Sequence, residues 1–223
     1  MNKSMKFVLL WIILFSGLQA QQPAEAFVPD SRESGLSSPL RITVIVDNTC
    51  ADPALQPDWG FSCLIEGLEK TILFDAGSKP EIFAGNLRKL NIDARRIDLA
   101  VISHPHGDHV GGLEWLLPLR PGLPLYFPCS TTADLVGKLK AAGASPELGC
   151  EPRRLCPHAA FSGELVPAGD RDEMIRHGFN EHSLVIDTAK GLLVITGCSH
   201  PGIGDMLERV KTLYKRPVHM VLG

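Results

Sequence analysis

Apolar runs rich in β-branched residues recur through the chain. Residues 41–49 (RITVIVDNT), 60–67 (GFSCLIEG), 70–77 (KTILFDAG) and 97–104 (IDLAVISH) each read as a strand. So do residues 123–128 (LPLYFP) and two segments within 182–197 (HSLVIDTAKGLLVITG), divided by an Ala-Lys-Gly turn, and residues 216–223 begin another. Between these runs the apolar period lengthens to that of a helix. In residues 80–92, Ile82, Phe83, Leu87 and Leu90 fall on one face behind Pro80. Residues 111–120 and 132–143 follow, the latter closed by Gly143, and a further helix over 201–214 starts at Pro201. Residues 145–181 mix Pro, Gly and charge and yield only short strand candidates near Arg154 and Leu165. The strand pairs at 59–77 and 182–197 read as antiparallel, which disfavours a plain doubly wound parallel sheet. The order predicts an α+β fold: two sheets between helices, an αββα four-layer sandwich.

Residues 1–40 stand outside this pattern. Lys3 and Lys6 precede an apolar run, residues 7–18 (FVLLWIILFSGL), and small-residue cleavage sites end at Ala20 and Ala26. The run is short for a membrane span, which takes roughly 20 residues. Residues 1–26 therefore read as a secretory signal peptide, with an uncleaved anchor as the alternative. Residues 27–40, polar and rich in Pro and Ser, read as a linker, and 41–223 as one domain. The expected location is periplasmic or secreted, with membrane contact only through the leader if it stays uncleaved. In such a compartment Cys50, Cys63, Cys129, Cys150, Cys156 and Cys198 permit disulfides. Cys150 and Cys156 are close enough in a Pro-rich loop to pair, although spacing leaves the connectivity open. A net charge of −3 without any Lys/Arg run gives no electrostatic footprint for nucleic acid. The expected partner is a small-molecule substrate, and no pattern reports an oligomeric state.

The strand at 97–104 delivers VISHPHGDHVGG (residues 101–112), with three of the chain's eight histidines inside six positions. Imidazoles gain little from packing side by side, and metal binding accounts for the crowding. On an extended backbone His104 and His106 leave on one face and Asp108 continues the alternation. His109 comes as the chain turns into a helix near Gly111 and Gly112, glycines that let the backbone pass close to a ligand. Two imidazoles suit one ion, and a carboxylate with an imidazole suits a second. ITGCSHPG (residues 195–202) repeats the layout of buried strand, donors and helix start, which makes His200 the third ligand of the first ion. Cys198 is either a ligand or bridge at the second ion or a small buried thiol. Asp75 either accepts a hydrogen bond from a metal-bound imidazole, fixing its tautomer, or caps the turn before Gly77. His182 either lines the cleft or is a satisfied or surface histidine. His177 is a weaker candidate, and His158 and His219 carry no signal. One or two Zn²⁺ ions suit the donor set, with Fe or Mn as alternatives.

FDAG, SHPHGDHVGG and ITGCSHPGI together resemble the metallo-β-lactamase-fold superfamily, whose signature is HxHxDH. GLLVITGCSHPGI is similar to the branch that includes the dihydropterin-ribofuranosylaminobenzene-phosphate synthases and many metallo-hydrolases. The resemblance covers residues 41–223. It implies an αββα sandwich with the metals at one edge between the sheets, His104, His106 and His200 on one ion, and Asp108 and His109 on the other. This sequence departs from the family pattern twice. Trp59 stands where the branch usually has a His before the Gly of GFS. The family strand matching HMVLG runs on to a Gly, an aromatic and a His that completes the second site, so the resemblance implies a chain lacking the usual C-terminal segment.

The implied activity is a secreted hydrolase in which a metal-bound hydroxide attacks a carbonyl or phosphoryl centre. Asp108 is the expected catalytic residue, orienting the nucleophile while ligating the second ion. A synthase-like transferase acting on a pterin-like or phosphorylated substrate is the alternative, opposed by secretion because such substrates are cytosolic. A truncated, non-catalytic metal-binding remnant is a third reading. A nuclease is disfavoured by the lack of a basic patch.

Overall fold

The computed structural model describes residues 39–223. The expected signal peptide and all but the end of the expected linker lie outside the described residues.

Eleven strands form two sheets among the described residues. In the first, β1 (Arg41–Val46), β2 (Ser62–Glu66) and β3 (Ile72–Phe74) pair antiparallel. β4 (Leu99–Val101), β5 (Pro124–Pro128) and β6 (Ser145–Gly149) then add in parallel. In the second, β7 (Arg153–Cys156), β8 (Ala159–Phe161), β9 (Leu184–Thr188) and β10 (Gly191–Ile195) pair antiparallel, and β11 (Val218–Leu222) joins β10 in parallel. The helices are α1 (Pro80–Lys89), α2 (Gly107–Val110), α3 (Leu113–Leu116), α4 (Ala133–Ala141), α5 (Arg171–Arg176) and α6 (Ile203–Tyr214).

Side-chain alternation along the strands explains the layering, because successive residues face opposite sides of a sheet. Cys63 and Ile65, Ile72 and Phe74, and Leu99 and Val101 point into one cluster shared with Phe161, Leu184, Ile186, Leu193 and Ile195 of the second sheet. The intervening Leu64, Leu73, Ala100 and Leu125 face outward onto Phe83, Leu87, Leu113 and Leu116 of α1 and α3. On the far side Val185, Leu192 and Val194 meet Val210 and Tyr214 of α6. Strands buried on both faces read as continuous apolar runs, which is how they look in the sequence. The order from face to face is helices, sheet, sheet, helix: the expected αββα sandwich.

Several local expectations are corrected. Residues 111–120 do not form one helix. A single turn starts earlier, at Gly107, and the chain then passes through α3 into a 3-10 turn at Leu117–Leu119, where Pro118 supplies no N–H. Pro201 precedes the helix cap Gly202 rather than starting α6. Cys150 bonds Cys129, not Cys156. The parallel register of β5 and β6 pairs Pro128 with Gly149, which leaves the next residues, Cys129 and Cys150, adjacent. Cys156 is instead a buried free thiol, and burial, with Glu69 beside it, raises its pKa to about 11.

Candidate metal centre

β3 and β4 run parallel and end side by side, and each delivers chemistry at its C-terminal end. Just past β3, Asp75 adopts a left-handed backbone (φ +53°) and donates its N–H to the Val101 carbonyl at 3.0 Å. Its carboxylate is fully buried. Oδ1 accepts the Ser103 N–H at 2.7 Å, and Oδ2 accepts the Ser103 hydroxyl at 2.7 Å and the His109 Nδ1–H at 2.6 Å. Of the two roles the sequence left open for Asp75, the structure shows the imidazole partner. It also shows that the strain of a non-glycine residue at positive φ sits where the backbone turns to aim that carboxylate.

Beyond β4 the chain bends at residues 103–105, is extended again at His106 and then closes into α2, so the expected strand-like alternation through His104, His106 and Asp108 is not kept and Asp108 sits on a helical turn. Beyond β10 of the other sheet, the loop at residues 196–202 brings His200 across. His104 Nε2 and His106 Nδ1 lie 3.0 Å apart, and His200 Nε2 is 3.3 Å from each. A second group lies beside the first: His109 Nε2 is 3.3 Å from Cys198 Sγ and 3.4 Å from Asp108 Oδ2. The His104 and His109 ring centres are 4.2 Å apart, so the groups are contiguous. Cys198 is exposed, which removes the buried-thiol reading. Asp108, His109, Cys198 and Trp59 line an adjoining cavity of about 180 Å³, with the Trp59 side chain 71% exposed there.

Comparison with known proteins decides the family. Residues 57–126 match the metallo-beta-lactamase superfamily pattern. The chain is 30% identical over 209 residues to the 7,8-dihydropterin-6-methyl-4-(beta-D-ribofuranosyl)-aminobenzene-5'-phosphate synthase of Methanocaldococcus jannaschii, covering 75% of this chain and 71% of that protein. The chain belongs to the metallo-beta-lactamase superfamily. Its fold aligns with a solved metal-dependent hydrolase of that superfamily at a TM-score of 0.65 and 26% identity, over 82% of this chain and 75% of that one. A quorum-quenching N-acyl homoserine lactone lactonase shares the fold at a TM-score of 0.51 and 16% identity, over 82% and 90% of the two chains.

Metallo-beta-lactamase relatives hold divalent metals, and the protons in this centre test whether these residues fit one. The Asp75 carboxylate can only accept, so the Ser103 hydroxyl donates to it, and Ser103 Oγ in turn accepts from His104 Nδ1 at 2.9 Å. His106 donates its Nε2–H to the His177 carbonyl at 2.6 Å. The proton of each ring therefore sits on the nitrogen facing away, and His104 Nε2 and His106 Nδ1 face each other as lone pairs. Burial and the neighbouring imidazoles hold His104 far below the ordinary histidine pKa, and burial followed by His106 and His109 lowers His200. The inward lone pairs of His104 and His106, 3.0 Å apart with no proton between them, repel unless a donor or a cation lies between them, and His200 Nε2 stands 3.3 Å from each, so one cation can bind all three. Two nitrogens on a tetrahedral Zn²⁺ at about 2.0–2.1 Å stand about 3.3 Å apart, which is the spacing found here. His109 differs: burial opposes its charged form, but the Asp75 carboxylate outweighs that and raises its pKa.

Glu181 is the residue that the sequence reading missed. It is fully buried at the foot of β9 and accepts from the Gly197 N–H at 2.8 Å, the Thr196 hydroxyl at 3.0 Å and the His200 N–H at 3.0 Å. Burial raises its pKa, against the opposing pull of those donors. The available signal was Asn180-Glu181-His182-Ser183, four polar residues leading straight into a buried strand. His182 is fully buried, stacks on Phe161 at 4.9 Å and, among the described residues, has a hydrogen bond on neither ring nitrogen, so it is neither a surface nor a satisfied histidine, and it is not exposed to the cleft. His177 reaches the centre through its carbonyl, while its ring stacks on Phe179. His158 pairs with Glu69, and His219 lies in β11. Gly111 and Gly112 do permit a close approach, but to the backbone of Ser78 and Ala76 rather than to a ligand.

Proposed function

We propose that this chain is a metal-dependent hydrolase of small electrophilic substrates, with His104, His106 and His200 holding one cation and Asp108, His109 and Cys198 available to a second. The observation that carries this reading is the convergence of three imidazole nitrogens within 3.0–3.3 Å of one another, two of which, on His104 and His106, face inward without a proton. Zn²⁺ suits the donors best, with Fe or Mn as alternatives. A divalent cation bound there acidifies water and polarises a carbonyl or phosphoryl oxygen. The protein's own residues do the rest. Asp75 and the His177 carbonyl fix the ring tautomers, Asp108 accepts a proton from water entering the adjoining cavity and orients it, and that cavity admits a small substrate. Export to an oxidising compartment is part of the proposal, supported by the Cys129–Cys150 disulfide and the N-terminal sequence.

The name of the archaeal relative favours a second reading, a transferase acting on a pterin-like phosphate. One set of assays separates the two. Protein reconstituted with Zn²⁺, Mn²⁺ or Fe²⁺ is tested on phosphoesters, lactones, β-lactams and pterin phosphates. Turnover of the first three supports the hydrolase, turnover of pterin phosphates alone supports the transferase, and a tightly held ion without turnover supports a binding protein. His106→Ala is expected to abolish metal stoichiometry and hydrolysis together; full activity in that variant refutes the site.

A further inference from the structure

We propose that Glu181 is the positioning residue that holds the two ligand-bearing loops at metal-binding distance, an inference that rests on the metal reading above. Its main chain is tied to both sides. The Glu181 N–H and carbonyl pair with Leu165, and the next residue, His182, donates its N–H at 3.0 Å to the carbonyl of Ser103, the neighbour of His104. Its carboxylate reaches the other loop. Oε1 takes the Gly197 N–H and the Thr196 hydroxyl, and Oε2 takes the N–H of His200 itself. Glu181 and the N–H of the residue that follows it therefore span from the backbone beside the first histidine to the backbone of the third.

The loop it holds is strained and tightly placed, and so has little tendency to adopt this path alone. Ser199 sits at φ +58°, a region that non-glycine residues seldom occupy. Gly197 passes so close that a Cβ would lie 2.2 Å from Ser103 Oγ and 3.1 Å from Glu181 Oε1. Three hydrogen-bond donors of this loop converge on the carboxylate, so its binding capacity is directed there. Asp75 does the same for His109 and Ser103 in the other sheet, and the centre is framed by two buried carboxylates, one per sheet.

The test uses the full chain with Co²⁺ as the probe. Glu181→Gln keeps the side-chain shape but turns one acceptor oxygen into a donor, which must then face an N–H or a hydroxyl. We expect Co²⁺ affinity to fall 10–100-fold. The paramagnetically shifted NMR resonance of His200, assigned by its loss in His200→Ala, should vanish or move while those of the other ligands remain. A merely structural role would lower the thermal midpoint and leave that resonance in place, which would overturn the proposal. Wild-type affinity in Glu181→Gln, with His106→Ala unable to bind, overturns the role of Glu181 and leaves the metal site standing. Wild-type binding by His106→Ala overturns both. If Glu181→Gln does not fold, Thr196→Val removes one donor to Oε1, and unchanged affinity and an unchanged His200 resonance in that variant overturn the proposal.

Discussion

Burial without a countercharge makes His182 a point of acid weakness. Its ring is enclosed against Phe161, and burial pushes its pKa down to about 3. In the unfolded chain a histidine titrates near about 6.5. Between those values the unfolded state takes up a proton that the folded state refuses. The cost is absent above pH 6.5 and grows as pH falls towards 3. His182→Leu should flatten that decline by about one proton, or about 1.4 kcal/mol per pH unit. Urea midpoints measured between pH 7 and 4 check it, and an unchanged slope would contradict it. The convergence of the candidate ligands was legible at this scale because each sits in a short stretch dense in donor atoms. Glu181 was not, because its partners are largely backbone N–H groups, which every residue type carries.

The turn formed by α2 packs against the loop after β3, and this contact sets the second donor group. Ala76 N–H donates to the His109 carbonyl, and Gly111 and Gly112 donate back to Gly77 and Ala76. Gly111 has an ordinary helical φ of −58°, so its requirement is steric: a Cβ there would lie 1.8 Å from the Ser78 carbonyl oxygen. Gly111→Ala should cost about 1–3 kcal/mol, read as a lower denaturation midpoint. Gly107→Ala, where nothing lies within 4 Å of the new methyl, should stay within about 1 kcal/mol of wild type. The strands of the first half and the β9–β10 pair were readable because both of their faces are buried and apolar. β6 was not, because it is a partly exposed edge strand (SPELG) with a proline, and β8 (AAF) carries two alanines and no β-branched residue to mark it. The disulfide followed the register of β5 and β6, which spacing along the chain does not reveal.

At the scale of the molecule, the centre lies where both sheets end. His104, His106, Asp108 and His109 follow β4 of one sheet, and Cys198 and His200 follow β10 of the other, so a bound cation joins the two layers. Metal should therefore stabilise the whole fold and not one loop. At a free concentration of 1,000 times the dissociation constant the gain is about 4 kcal/mol. Calorimetric midpoints should rise with Zn²⁺, return with a chelator, and become insensitive to Zn²⁺ in His200→Ala. The sandwich was legible from the order of strand and helix runs and the two hairpin-like pairs, whereas the meeting of its halves at the candidate ligands became visible only with the strand order in hand.

The third histidine lies 94 positions after His106. Under the proposed ligand set, synthesis releases a two-imidazole fork long before its closing member exists, and two ligands hold an ion less firmly than three. A firmly retained ion would then report that the segment carrying His200 has been made and has docked against the first sheet.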